Sequence, residues 1–219
     1  METSITLWMD EAWKLYRVVS PYIQSYNPSK KAKFQKYEDY CNRYVKPKEP
    51  YSDHPNRLLD FIDVSIFDFM TENADRHHYE LFTNHSDAVI LLLDNAKSFG
   101  NYTRDEETLI APLEQCCVIR TSTYHRYCFF SDIFLHLVCC IRLKLLHGGL
   151  LSKLFHAATK TDPIYPLLDD RHVKAMERRL DKILQGLFLN HFKIIAPDQP
   201  FHVEPHLVRY SSALPDKLN

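Results

Sequence analysis

The chain has 219 residues, 45% hydrophobic and 25% charged, with a net charge of −1. That is long enough to bury one core and too apolar for a disordered chain. Lysines, arginines and acids are interspersed, so no basic face argues for nucleic acid, and Met1 to Trp8 lack the basic and then apolar segments of a signal peptide.

In chain order, Ser4 to Trp8 reads as a short strand. Residues 10–50 are polar and aromatic, with prolines at 21, 28, 47 and 50, and a helix is predicted around Lys31 to Val45. Tyr51 to Pro55 is a turn. Leu58, Leu59, Ile62, Ile66, Phe69 and Met70 then recur at helical spacing, which predicts a buried helix from Arg57 to Thr71. Asn73 to Glu80 follows as a polar loop. Ala88 to Leu93 is a short apolar run ending at Asp94, the pattern of a buried strand that delivers an acid to a cleft.

Thr103 and Glu106 have the spacing of a capping box for a helix running into Cys116. A further helix is expected from Tyr127 to Leu146, closed by Gly148-Gly149. The most apolar stretch, Tyr127 to Ile141, is interrupted by Asp132 and His136 and is shorter than the roughly 20 residues that cross a bilayer, so no membrane span is expected. Leu150 to Thr159 suits a short helix. Val173, Met176, Leu180, Ile183, Leu184 and Leu187 define an amphipathic one. The tail beyond Ile195 contains prolines and is expected to be extended. The fold class that follows is mainly α (α+β), helical with a few short strands around one polar loop.

Six cysteines occur, at 41, 116, 117, 128, 139 and 140. Their adjacent pairs lack the C-x2-C spacing of zinc or redox motifs. They read either as small buried apolar residues or as disulfides of an oxidising compartment. The sequons Asn84-His85-Ser86 and Asn101-Tyr102-Thr103 lean toward the second reading.

The chemistry lies in the order of elements: buried helix, loop with Asp75, apolar strand, then Asp94. Phosphoryl transfer needs one acid to orient or deprotonate the acceptor hydroxyl and another to hold the metal on the phosphates. Kinases place the base in a loop after a C-lobe helix, with a polar group five residues on. Here Glu80 lies five after Asp75. Plainer readings stand beside this one. Asp75-Arg76 reads also as a local ion pair, His77-His78 as surface residues or a metal pair, and Asp94-Asn95 as a turn.

Asn73-Ala-Asp-Arg-His-His-Tyr-Glu80, Leu93-Asp-Asn-Ala-Lys-Ser-Phe-Gly-Asn101 and Leu113-Glu-Gln-Cys-Cys-Val-Ile-Arg120 resemble a family of secretory-pathway (Golgi) kinases. That family includes glycosaminoglycan xylosylkinase and the Golgi casein kinase. The resemblance runs from about Ser4 to Leu187, with Ala74, Ser4 to Trp8 and Asp94 to Gly100 closer to the xylosylkinase branch. It implies a kinase-like C-terminal lobe over residues 1–190, with a hinge strand in 1–10, an apparent insertion at 127–142 and a tail over 191–219. By position, Asp75 matches the catalytic aspartate. Glu80 matches an ATP-contacting acid, and Asp94 the acid that binds ATP and manganese. Thr6, Leu7, Trp8 and Met9 match the hinge beside the adenine, and Cys41 and Cys116 a family disulfide. Manganese or magnesium suits such hard oxygen ligands.

The resemblance further implies an ATP- and Mn-dependent transfer to xylose in the proteoglycan linkage region, in the Golgi lumen. The acceptor is a glycan or a secreted protein, and pairing with a related kinase is an expectation. Departures accompany it. No G-x-G-x-x-G occurs, and the chain is expected to lack the family's N-terminal lobe. Glu72 stands where the family usually has glycine. The expected partner of Cys117 falls at about Asn190. Three other readings stay open: a secretory serine/threonine protein kinase, a non-catalytic lobe acting as an interaction partner, and a metal hydrolase using His77, His78 and Asp94.

Overall fold

The computed structural model describes residues 13–25, 27, 29–84, 90–123, 150–189 and 193–195. The predicted strand Ser4 to Trp8, with Thr6, Leu7, Trp8 and Met9, lies outside them. So do the Tyr127 to Leu146 helix, the 127–142 stretch, Cys128, Cys139, Cys140, Asn190 and the tail.

The elements are β1 (Leu15–Val19), a π-helical turn (Cys41–Val45), α1 (Pro55–Thr71), β2 (His78–Phe82), a 3-10 turn (Glu107–Ile110), α2 (Ala111–Cys116), β3 (Val118–Arg120), α3 (Leu150–Thr159), α4 (Asp170–Leu189) and β4 (Lys193–Ile195). Helices dominate, with two small sheets, which is the α+β class expected. Antiparallel β1 and β2 pair Arg17 with Glu80 and Val18 with Tyr79. Parallel β3 and β4 pair Ile119 with Ile194.

The predicted central helix forms. Proline occupies its first turn, where the missing N–H costs nothing, and Leu59, Ile62, Ile66 and Phe69 are buried along it. It ends in a Schellman motif: Glu72 N–H donates to the Phe69 carbonyl at 3.2 Å and Asn73 N–H to the Asp68 carbonyl at 2.8 Å. Glu72 takes the left-handed position, φ 58°. The glutamate that stands at a family glycine position thus falls on a φ that favours glycine.

The helix expected over Lys31 to Val45 is mostly turns, with helical structure confined to Cys41–Val45. Aromatic packing accounts for this. Tyr22, Phe34 and Tyr40 form a buried cluster, with Tyr22 and Tyr40 rings 5.3 Å apart and Tyr22 and Phe61 rings 6.0 Å apart. Burying these rings together outweighs the local helical preference. Cys41 is disulfide-bonded to Cys116, across 75 positions, as the resemblance implied. Cys117 is free and exposed.

Asn73 to Glu80 is not a loop throughout: its last three residues open β2, where Tyr79 and Leu81 point into the core and are 0% and 2% exposed. Strand alternation hides this, because the intervening His78 and Glu80 are polar. The apolar run before Asp94 makes one antiparallel bridge, Leu91 to Glu80, among the described residues, rather than a strand. Leu93 and Asp94 are exposed. The capping box also fails. Thr103 Oγ1 donates to Asn101 Oδ1 at 2.7 Å, and the segment enters α2 through the 3-10 turn with no side-chain cap at Glu106.

Candidate active site

The C-terminal end of α1 organizes the loops that carry the candidate acids. A helix end leaves its last carbonyls without intrahelical partners. Here they are taken by distant residues: the Thr71 carbonyl accepts Phe99 N–H at 2.7 Å, and the Met70 carbonyl accepts Arg179 Nη1 at 3.2 Å. The loop after Asp94 is thereby fastened to the helix that precedes Asp75.

A second fastening comes from Arg76. Its guanidinium donates twice to the Asp68 carboxylate, at 3.0 and 2.9 Å, once to the Leu93 carbonyl at 2.7 Å, and once to Asn95 Oδ1. Asp68 and Arg76 side chains are only 4% and 7% exposed. The local Asp75–Arg76 pair is therefore not what forms; Arg76 pairs with Asp68. Burial pushes the Asp68 carboxyl up, and the Arg76 and Asn73 hydrogen bonds pull back. Arg76 touches one residue on each side of Asp94 and follows Asp75 directly, so one planar fork sets the spacing of the two loops.

Asp75 is partly buried, with Oδ1 2.8 Å from His77 Nε2. The loop is pinned again by Ser20 N–H, which donates to the His77 carbonyl at 2.9 Å. Ala74, Arg76 and His77 line a cleft whose far walls are Ser65 and Asp68 of α1, Tyr22 and Thr108. None of Asp75, Glu80 and Asp94 lines this cleft.

Glu80 sits in the middle of a three-segment strip. Its backbone exchanges hydrogen bonds with Leu91 at 3.0 and 2.9 Å. Its carboxylate, 7% exposed, accepts from Arg17 Nε across the sheet at 3.0 Å, with His78 Nε2 3.9 Å away. Asp94 lies three residues beyond Leu91 in a left-handed conformation, φ 55°, which aspartate tolerates better than most residues. Phe99, at φ 59°, is a bulky residue in the same region. Three residues at positive φ, Glu72, Asp94 and Phe99, thus cluster around these loops.

A metal fits here in one form. Among the described residues no group of three or more His, Cys, Asp or Glu converges. His77 and His78 face Asp75 and Glu80 respectively, so no metal pair forms from them and Asp94. Asp94 alone offers one hard oxygen ligand, the donor set of a divalent ion that arrives on a nucleotide and takes its other ligands from phosphate and water.

Two buried residues escape the sequence pattern. Asp68 falls on the apolar stripe of α1, four after Val64 and seven after Phe61. Arg179, 1% exposed, stands four from both Ala175 and Ile183 in α4. A charge inside an apolar stripe is the readable signal, since a buried charge needs a partner. Arg179 finds Glu72 at 3.0 Å and Asp105 at 2.9 Å, and donates to the carbonyl of Arg104 at 3.0 Å. Hydrogen bonds from Arg178, Lys182 and Arg179 hold the Asp105 carboxyl well below the usual range.

Comparison with known proteins bears on this geometry. A family model described as "Golgi casein kinase, C-terminal, Fam20" matches residues 1–188. The chain is 44% identical over 84% of its length to a glycosaminoglycan xylosylkinase of Danio rerio, covering 41% of that protein. It is 38% identical over 77% of its length to a human extracellular serine/threonine protein kinase, covering 26% of it. A solved Golgi casein kinase with Mn/ADP bound superposes with a TM-score of 0.66 at 31% identity, over 83% of this chain and 41% of that one. The described fold is therefore that of the C-terminal, kinase-like part of such proteins, and the chain spans less than half the length of the curated relatives it matches.

Proposed function

The chain belongs to the Fam20 C-terminal kinase family, and on that premise we propose that it carries the catalytic half-site of a secretory-pathway kinase that phosphorylates a xylose hydroxyl in the proteoglycan linkage region. The observation that carries this is the Arg76 clamp, which ties the Asp75 loop to the residues flanking Asp94.

In this reading Asp75 accepts the proton of the sugar hydroxyl as the oxygen attacks the γ-phosphorus of ATP, and ADP leaves with the β–γ bridging oxygen. The carboxylate is oriented by His77 at 2.8 Å. Asp94 holds the manganese or magnesium ion, which when bound neutralises charge on the phosphates. Glu80, kept in place by Arg17, contacts the nucleotide, and Thr6, Leu7, Trp8 and Met9 border the adenine. The glycan acceptor is supported by the 44% identity to a xylosylkinase, against 38% to a serine/threonine kinase. Residence in the Golgi lumen is supported by the Cys41–Cys116 disulfide and by the exposed Asn101 of a glycosylation sequon.

Calorimetric titration of ATP, with and without Mn2+, into this chain and into Asp94→Ala tests the nucleotide site. Manganese-dependent binding lost in the variant is the expected result, while binding indifferent to Asp94 would sink the assignment. The same site in a full-length protein is then offered a xylose-containing linkage glycan beside a serine peptide. Preferential transfer to the peptide would move the assignment to the serine/threonine kinase reading.

A further inference from the structure

Away from the candidate catalytic loops, the segment 30–48 contains seven lysines and arginines against two acids, in a chain whose net charge is −1. Charge that is interspersed along most of the sequence is concentrated here. The fold turns the segment into a groove of about 340 Å³, lined by Lys33, Lys36, Lys48, Tyr37, Tyr40 and Tyr44. All three lysines are exposed, and no hydrogen bond or ion pair joins their ammonium groups to another described residue. No acid lines the groove.

The tyrosines form its floor. Tyr44 lies between Tyr37 and Tyr40, with ring centroids 5.5 and 5.1 Å away. Tyr40 is buried and donates to the Pro21 carbonyl at 2.9 Å, and the neighbouring Cys41 is tied to α2 by its disulfide. The aromatic floor is thus fixed before any ligand arrives, which lowers the ordering cost of binding.

We propose that this groove binds an acidic saccharide, a uronate- or sulfate-bearing glycan. Flat aromatic faces carry a negative quadrupole that attracts the polarised C–H bonds of a pyranose ring. Mobile lysine ammonium groups around them suit carboxylates and sulfates at varied spacing better than a rigid guanidinium fork would. An acidic peptide would use the lysines but leave the exposed Tyr37 and half-buried Tyr44 rings unexplained. The groove's Tyr40 packs on Tyr22, which lines the cleft beside Ala74, Arg76 and His77. Binding here needs no nucleotide, and its outcome is independent of the phosphotransfer assignment.

The test is direct titration of this chain with a size-defined chondroitin sulfate oligosaccharide, an uncharged oligosaccharide of equal length, a polyglutamate peptide and a single-stranded oligonucleotide. Binding of the sulfated oligosaccharide alone, weakened about tenfold in Tyr37→Ala and in Lys36→Gln/Lys48→Gln and by added salt, is expected. These exposed substitutions leave thermal stability and manganese-dependent ATP binding unchanged. Absence of binding, binding that survives both variants, or equal affinity for polyglutamate or the oligonucleotide would overturn the proposal.

Discussion

The carboxylate of Glu72 meets the buried guanidinium of Arg179 at 3.0 Å from a backbone position that glutamate rarely occupies. Two opposing terms act at this residue. The left-handed φ of 58° costs about 1 kcal/mol relative to glycine, and the ion pair offsets it by giving Arg179 a second carboxylate beside Asp105.

Substitution separates the two terms. Both Glu72→Ala and Glu72→Gly lose the pair and the hydrogen bond that Glu106 N–H donates to Glu72 Oε1 at 2.9 Å; alanine keeps the strain and glycine relieves it. Urea denaturation is expected to find the alanine variant less stable than the glycine variant by about 1 kcal/mol, with both below the parent protein. Arg179→Met leaves two carboxylates without that cation and is expected to cost about 3 kcal/mol or more. An alanine variant as stable as the parent, with the glycine variant about 1 kcal/mol more stable than both, would show that the carboxylate contributes nothing.

Arg76 reaches Asp68, Leu93 and Asn95 with one side chain. Lysine has a single donor centre and cannot span all three. Arg76→Lys is expected to destabilise the chain by about 2 kcal/mol and to weaken manganese-dependent ATP binding by tenfold or more, on the order of 1.4 kcal/mol. Calorimetry on a variant confirmed to be folded by circular dichroism checks this. Unchanged nucleotide affinity would mean that the clamp holds the fold without positioning Asp94.

Helical spacing makes α1 and α4 legible, because their apolar residues recur with the helix period over several turns. The same pattern conceals the residues that join the candidate loops. Asp68 and Arg179 look like breaks in an apolar stripe until their partners, Arg76 at eight positions' distance and Asp105 at 74, are placed beside them. β1 and β2 escape the pattern for a related reason. Their pairing buries Tyr79 between polar neighbours, and only the long-range register of Arg17 with Glu80 shows why Glu80 is inside. The acids themselves, Asp75, Glu80 and Asp94, are readable from motif resemblance, but their separation by loops anchored to α1 is a tertiary property.

Asp105 gives the acid limb of stability a definite sign. Arg178, Lys182 and Arg179 hold its carboxyl well below its ordinary value of 3.8. A carboxylate favoured by folding stabilises above its unfolded pKa, and the contribution is lost as pH falls through the folded value. Asp105→Asn is therefore expected to be less stable than the parent near neutrality, with the gap closing as pH falls below about 4. Urea midpoints of both proteins between pH 7 and pH 3 measure the gap. Buried Asp68 and half-buried Glu72 are shifted upward and tilt the curve the other way; the Asp68 part is common to both proteins, and the part of the Glu72 shift that Asp105 causes is counted with Asp105 in the difference between them. A gap that stays constant with pH would refute the assignment.

The Cys41–Cys116 bridge closes a loop with a sequence separation of 75, and both cysteines lie in the core at 0% and 3% exposure. Loop-closure entropy alone assigns it about 4 kcal/mol of stabilisation. It joins the π-helical turn under the Tyr40–Tyr44 rings to α2, so its loss loosens the segment that forms the basic groove while α1 and the Arg76 clamp keep their own contacts. The double variant Cys41→Ser/Cys116→Ser is expected to unfold at a lower urea concentration by an amount equivalent to about 2 to 4 kcal/mol. Because Cys117 is exposed and free, the comparison is made in the Cys117→Ser background, where that thiol cannot exchange with the bridge. Insensitivity of that background to reductant would mean that the bridge adds nothing and that the aromatic cluster alone holds residues 30–48 in place. A large loss would mean that this lobe reaches its full stability only where the disulfide can form.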